Sequence, residues 1–304
     1  LILLYLSMKI VVTGGAGFIG SSFANLCLEK GHEVLVIDKI TYAGSLKNLN
    51  IDSSNIKLIL EDINNVTAED LGEYDYLVNF AAESHVDNSI KDGKPFIKSN
   101  VEGTFNLLEI ARKNNNLKKF VQISTDEVYG DMDDYGEDVL ADETFPLIGS
   151  SYYSSTKASA DLLVQAAGRT YQLPYLITRT CNNYGVNQNK EKFLPTIFNC
   201  IKNDIEIPIY GDGGQIREWI WVEDNVEILY NLMINDEGIK NIGTGERWMN
   251  KELIQLIADI LNKDVKFKFI EDRLGHDRRY GLKTTSNYKF KSIEEYLKQQ
   301  LCEL

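Results

Sequence analysis

Three glycines, Gly14, Gly17 and Gly20, follow an apolar strand-like run, Lys9 to Val12, and lead into a helix-like run, Phe18 to Lys30, whose first turn holds the third. This spacing restricts the chain more than any other stretch. Glycine lets the backbone turn tightly and lets another group approach it, and the helix that follows directs its free N–H groups into the turn. Such a turn suits an anion. A second run, Glu33 to Ile37, ends at Asp38, about 20 residues beyond the glycines, where a carboxylate can accept both hydroxyls of a ribose. Strand, glycines, helix and acid in this order point to a dinucleotide. Asp38 would repel a 2′-phosphate, which favours NAD over NADP, although Lys39 sits beside it. FAD, and a glycine-rich turn with no ligand, are the competing readings.

Further apolar runs, Lys57 to Leu60, Tyr76 to Phe80, Phe120 to Ile123 and Tyr175 to Thr178, alternate with helical patterns at Asn100 to Asn114 and Tyr153 to Tyr171. Alternation of this kind implies parallel strands with crossover helices. The expected fold is α/β, an open doubly wound sheet (NAD-binding Rossmann domain, residues 1–180) with a smaller substrate-binding domain over 181–304. Within the second part, Asn250 to Leu261 reads as a helix, and Glu218 to Val222 as a strand that can return to the main sheet. The acidic stretch Asp131 to Asp142 reads as a solvated excursion.

With 304 residues and 43% apolar content the chain can bury a large core. Its formal charge of −13 argues against a nucleic-acid partner or an anionic membrane surface. Cys27, Cys181, Cys200 and Cys302 are scattered and form no CxxC pair, so they read as reduced thiols of a cytoplasmic protein, and no metal site is expected. The opening LILLYLS is too short for a signal peptide or a membrane span, and it reads as an extension upstream of Met8.

Two stretches carry chemistry. Thr125, Asp126 and Glu127 follow the strand run Lys119 to Ile123, where adjacent carboxylates repel and resist burial. Either the turn is merely acidic and caps a helix, or the strand ends at a reacting molecule. Tyr153 and Lys157 lie four residues apart at a helix start, hence on one face. A phenol titrating near ~10 is a poor base at neutral pH, but an ammonium and an oxidised nicotinamide beside it both favour phenolate. By itself this spacing also occurs on ordinary exposed helix faces; the dinucleotide pattern upstream gives it weight.

The glycines, Tyr153 and Lys157 resemble the extended short-chain dehydrogenase/reductase superfamily. Taken with AAESHVD at 81–87, STDEVYG at 124–130, NNYG at 182–185, EKFLP at 191–195, PIYGDGGQIREW at 208–219 and DRLGHDRRY at 272–280, the chain resembles the dTDP-glucose 4,6-dehydratases among the nucleotide-sugar dehydratases. The resemblance implies that Tyr153 takes the proton of the sugar 4-hydroxyl as hydride leaves C4 for NAD+, with Thr125 hydrogen-bonding the same oxygen. It further implies that Glu127 removes the C5 proton while a protonated Asp126 donates to the departing 6-hydroxyl. Hydride return to C6 then yields a 4-keto-6-deoxy sugar.

By the same resemblance Gly14, Gly17, Phe18, Ile19, Gly20, Asp38, Lys39, Thr41, Asp62, Ile63, Ala81, Ala82, Ser99, Tyr153, Lys157 and Asn183 match NAD-contacting positions. Ser84, Thr125, Asn182, Lys192, Phe193, Tyr210, Arg217, Asn250, Arg273 and His276 match nucleotide-sugar positions, with Arg217 and Arg273 as a diphosphate clamp. His85 reads as a packing or hydrogen-bonding residue. A homodimer built on the helices at Asn100 to Asn114 and Tyr153 to Tyr171 is expected by analogy. Tyr152 and Leu274 depart from the family's usual prolines, and the chain ends soon after Leu297, so contacts from a longer tail are expected to be missing. Other nucleotide-sugar dehydratases, a 4-epimerase, a decarboxylase and a silent NAD-binding sensor or scaffold share parts of this pattern.

Overall fold

The computed structural model describes residues 7–284 and 288–301, so most of the upstream extension, and Cys302, lie outside the described residues. Its strands are β1 (Lys9–Thr13), β2 (Glu33–Asp38), β3 (Ile56–Leu60), β4 (Tyr76–Asn79), β5 (Lys119–Thr125), β6 (Tyr175–Thr180), β7 (Asn182–Tyr184), β8 (Ile207–Tyr210), β9 (Ile216–Trp221), β10 (Gly238–Ile242), β11 (Arg247–Met249) and β12 (Phe267–Ile270). Seven of them form one parallel sheet in the order β10-β6-β5-β4-β1-β2-β3.

The central strands read as continuous apolar runs because both faces of the sheet are covered. Val12, Val78, Val121 and Leu176 point into one core, while Val11, Leu77, Phe120 and Ile177 point into the other. Each such side chain contributes roughly 1.5–3 kcal/mol by leaving water. β1 pairs with β2 on one side and β4 on the other, so the strand order reverses there. A crevice opens at the carboxyl ends of the strands at that switch point.

The remaining strands make two small sheets, β11-β9-β7 and β12-β8, around a third core that includes Leu194, Ile197, Trp219, Leu253 and Ile257. Two expectations need correction and a third needs a qualification. The late strand that joins the main sheet is β10, paired with β6, whereas Glu218 to Val222 overlaps β9, which pairs with β7 and β11. The stretch 131–142 is exposed over 133–138, as a solvated excursion would be, but is tied down at intervals: Asp131 accepts the backbone N–H groups of Arg278 and Arg279, and Arg279 Nη2 donates to the carbonyls of Met132 and Gly136. The helix expected from Asn100 starts as a π-helical segment, Ile97–Glu102, before the α-helix Gly103–Ala111. This wider turn buries Ser99 and Asn100; the Asn100 side chain bonds Glu83 and Thr156, tying the loop after β4 to the helix Tyr152–Tyr171. Among the described residues, no helix is long and apolar enough to cross a membrane.

Candidate active site

The ends of β1 to β6 open onto one cleft, and the turn after each strand supplies part of its wall. After β1 the backbone crowds itself: a Cβ on Gly20 would stand 2.2 Å from the Gly14 carbonyl oxygen, and one on Gly14, at φ +65°, 2.6 Å from the Ala81 nitrogen. Only glycine fits such contacts. Gly17 is the N-cap of the helix Phe18–Glu29 and brings no capping side chain, so the first-turn N–H groups are left for a ligand's phosphates.

Asp38, at the end of β2, accepts the N–H groups of Ala16 (3.0 Å) and Ile40 (2.8 Å) through different oxygens. Each oxygen keeps a second lone pair for a ribose hydroxyl. Lys39 lies 3.5 Å from Asp62 and 3.6 Å from Glu83, so its charge is shared between two carboxylates. Thr41, Asp62, Ile63, Ala81, Ala82, Ser99 and Asn183 line the same cleft, as do Phe18 and Ile19. The buried Asn183 Oδ1 has no hydrogen-bond partner among the described residues. This uncapped helix start, packed glycine turn and fixed carboxylate fit NAD.

At the end of β5 the chain turns into a 3-10 segment, Asp126–Tyr129, because the Thr125 hydroxyl accepts the Glu127 N–H (3.3 Å) and itself donates to Asp126 Oδ1 (3.1 Å). Asp126 is 3% exposed, and its Oδ2 meets no hydrogen-bond partner among the described residues. Burial, together with the carboxylates of Glu127 and Glu218, pushes Asp126 well above the usual range. Burial raises Glu127 too, but there the cations Arg217, Arg273 and Lys192 oppose it. The geometry therefore keeps Asp126 the more readily protonated of the two.

Tyr153 enters the cleft from the second residue of the helix Tyr152–Tyr171, whose start is fixed by a capping box between Ser151 and Ser154. Its ring meets Phe96 edge-on at 6.4 Å. In the protein the balance on this phenol runs opposite to the expected one: burial and the nearby Glu127 and Asp126 raise it, and a hydrogen bond with Thr125 only partly offsets them. Lys157 is buried and donates to the Ile123 carbonyl; burial pulls its ammonium down to about 8. Lowering the phenol thus falls to a cationic ligand beside it.

Ser84, Asn182, Lys192 and Phe193 line the cleft with the cofactor set, whereas Tyr210, Arg217, Asn250, Arg273 and His276 stand outside that lining on the adjoining lobe. Lys192 Nζ donates to the Ser84 carbonyl (3.2 Å). Asp87 accepts from Tyr210 (3.3 Å) and Arg273 (3.4 Å), which ties the two lobes. His276 sits 2.6 Å from Asp272 and edge-on to Tyr210, and burial with the Arg273 guanidinium lowers it to about 4. Arg217 lies 4.1 Å over the Tyr280 ring and donates to the carbonyls of Ile216 and Asp277. Asn250 opens the helix Asn250–Leu261, its N–H bonded to Gln215. His85 stands at the N-cap position of the helix Val86–Lys91 without a side-chain capping bond, its buried Nδ1 lacking a hydrogen-bond partner among the described residues, and its Nε2 faces Glu191 at 3.9 Å.

The sequence reading missed Asp87, Glu218, Asp277 and Tyr280. All four did carry a signal, since Asp87 closes AAESHVD, Glu218 lies in PIYGDGGQIREW, and Asp277 and Tyr280 stand three apart within DRLGHDRRY.

Residues 10–243 match the NAD dependent epimerase/dehydratase family. The chain belongs to that family. It is accordingly an NAD-dependent enzyme of the nucleotide-sugar dehydratase/epimerase class. It is 44% identical, over 91% of each chain, to the low-salt glycan biosynthesis protein Agl12 of Haloferax volcanii. It is 38% identical to the dTDP-glucose 4,6-dehydratase of Neisseria gonorrhoeae, over 90% of this chain and 87% of that one. Among solved structures it resembles DesIV, a dTDP-glucose 4,6-dehydratase from Streptomyces venezuelae with NAD bound: TM-score 0.91 at 35% identity, over 97% of this chain and 96% of that one.

Proposed function

We propose that this member of the epimerase/dehydratase family is a 4,6-dehydratase that converts dTDP-glucose to dTDP-4-keto-6-deoxyglucose. The observation that carries the reading is the pair Asp126 and Glu127 beside Tyr153, one carboxyl favoured as acid and the other surrounded by cations. Epimerisation and decarboxylation need no such pair. Residues 1–180 would hold the cofactor and 181–304 most of the nucleotide-sugar.

NAD, when bound, supplies the two-electron acceptor and donor of a redox-neutral cycle. Tyr153 removes the 4-hydroxyl proton, and Thr125 hydrogen-bonds the same oxygen. Lys157 anchors the helix against the Ile123 carbonyl. With C4 at the ketone level the C5 hydrogen is acidic, and Glu127 takes it as carboxylate. Asp126 gives its proton to the departing 6-hydroxyl, so water leaves across C5 and C6. Glu127 then returns its proton to C5, and the proton gained by Tyr153 balances the one lost by Asp126.

The curated and structural relatives named dTDP-glucose 4,6-dehydratase support the thymidine nucleotide. A second reading, another nucleotide-linked hexose, is favoured by the similarity to a glycan biosynthesis protein and by Leu274, 78% exposed where the family resemblance leads one to expect proline. We read the setting as cytoplasmic, from the buried thiols Cys27, Cys181 and Cys200, and the assembly as a homodimer, from exposed Phe105 and Leu162 on helices that pack together. The NAD-loaded enzyme is incubated with dTDP-, UDP- and GDP-glucose. A dTDP product lighter by one water, with alkali-induced absorbance, supports the reading; an epimer of unchanged mass rejects it.

A further inference from the structure

One polar contact to Glu127 is not used by this mechanism. The Tyr280 hydroxyl stands 3.5 Å from Glu127 Oε2 and 2.7 Å from Asp277 Oδ2. Tyr280 and Asp277 are 4% and 6% exposed, so neither is a surface polar group that happens to lie near. Their placement is over-determined. The Tyr280 N–H donates to the Ile216 carbonyl, Arg217 covers the ring at 4.1 Å, and Arg217 Nη2 holds the Asp277 carbonyl at 2.8 Å.

A phenolic hydroxyl has one hydrogen and lone pairs to accept with. Placed between two carboxyl groups it can donate to only one at a time, and rotation about the C–O bond selects which. A base that gains and returns a proton in each cycle needs a partner that suits both of its states.

We propose that Tyr280, aimed by Asp277, is a positioning residue for Glu127 that serves the base in both protonation states. It donates to the Glu127 carboxylate before the C5 proton is taken. Once Glu127 is protonated, the new carboxyl hydrogen points at the Tyr280 oxygen and the Tyr280 hydrogen turns to Asp277. No proton leaves the trio. This rests on Glu127 being the base of the proposed dehydration.

The charged and titratable groups facing Glu127 are Asp126 on its own turn, Tyr153 from the helix start, Arg217 from β9, Lys192 from the N-cap of the helix Phe193–Lys202, and Arg273, Asp277 and Tyr280 from the 272–280 stretch. Tyr280→Phe leaves all of these charges and the ring under Arg217 in place and removes only the hydroxyl. Asp277→Asn removes a negative charge and weakens the competing acceptor. The two changes should move the Glu127 carboxyl in opposite directions, a result that general loosening of the site would not give.

The test follows the Glu127 carboxyl by 13C NMR of protein labelled at glutamate, the resonance being assigned by its loss in Glu127→Gln, with thermal melts to confirm folding. The expected midpoint rises in Tyr280→Phe and falls in Asp277→Asn. In kinetics, Tyr280→Phe should lower kcat about tenfold, with KM changed less than about twofold, and shift the acid limb of kcat/KM to higher pH. Midpoints that stay at the wild-type value, or move together, overturn the proposal. Failure of the wild-type enzyme to release water would overturn the dehydratase reading instead, while the titration still judges the Tyr280 contact.

Discussion

Asp126 and Glu127 share one turn, but the Asp126 carboxyl is closed off at 3% exposure while Glu127 Oε2 faces the Tyr280 hydroxyl at 3.5 Å. Burial pushes both carboxyls up; at Asp126 the carboxylates of Glu127 and Glu218 add to it against Arg217, whereas at Glu127 the cations Arg217, Arg273 and Lys192 oppose it against the single carboxylate Asp277. Adjacent identical chemistry is thereby split into an acid and a base, the arrangement an elimination requires.

This burial carries a stability cost that the variant Asp126→Asn should reveal. The folded protein holds this carboxyl above its usual 3.8, so the unfolded chain gives up the proton first as pH rises. Below about pH 4 both states are protonated and the variant should melt with wild type. Between there and neutrality wild type loses ground, and Asp126→Asn should melt a few degrees higher at pH 7. Its turnover should fall by about 100-fold or more. Coincident melting curves at pH 7 would show that Asp126 is not held above its usual range.

Tyr153→Phe should lose about 10²- to 10⁴-fold in kcat and keep the wild-type melting temperature, because the ring retains its edge contact with Phe96. Full activity in this variant would remove Tyr153 from the proton path.

Arg273 and Arg217 lie near Glu127 on the lobe away from the cofactor glycines. Replacing either by Ala should raise KM for the nucleotide-sugar about 10- to 100-fold, the size expected for losing a charge-assisted hydrogen bond. The loss should shrink the dependence of KM on ionic strength. A KM that does not change in either variant counts against a diphosphate clamp.

Phe105 and Leu162 are 55% and 57% exposed. If a second copy covers them, Phe105→Glu with Leu162→Glu should convert a dimer to a monomer in light scattering. A wild-type protein that runs as a monomer contradicts the assignment.

Much of the main sheet could be read from the chain because strands covered on both faces carry unbroken apolar runs, as in Lys119 to Ile123 and Tyr175 to Thr178. β10, Gly238–Ile242, escaped because it is an edge strand that mixes Lys240 and Asn241 with its apolar residues, and its pairing with β6 is a tertiary fact. The apolar stretch Glu218 to Val222 misled for the converse reason, since a small sheet with its own core needs the same pattern. The cofactor turn was legible as a local motif. The roles of Asp87 and Glu218 were not, although both lie inside quoted motifs, because each matters through a residue over 90 positions away in the chain, Arg273 for one and Asp126 for the other. Nor was the raised phenol of Tyr153, which depends on how deeply the fold buries it.

The claim at the centre is that Glu127 takes the proton after C4 has been oxidised, and a single-turnover experiment with Glu127→Gln and dTDP-glucose tests it most directly, read by nicotinamide absorbance. The predicted trace rises as C4 is oxidised and stays high, with release of water slowed about 100-fold or more. A trace that rises and decays at the wild-type rate, giving normal product, would contradict the account.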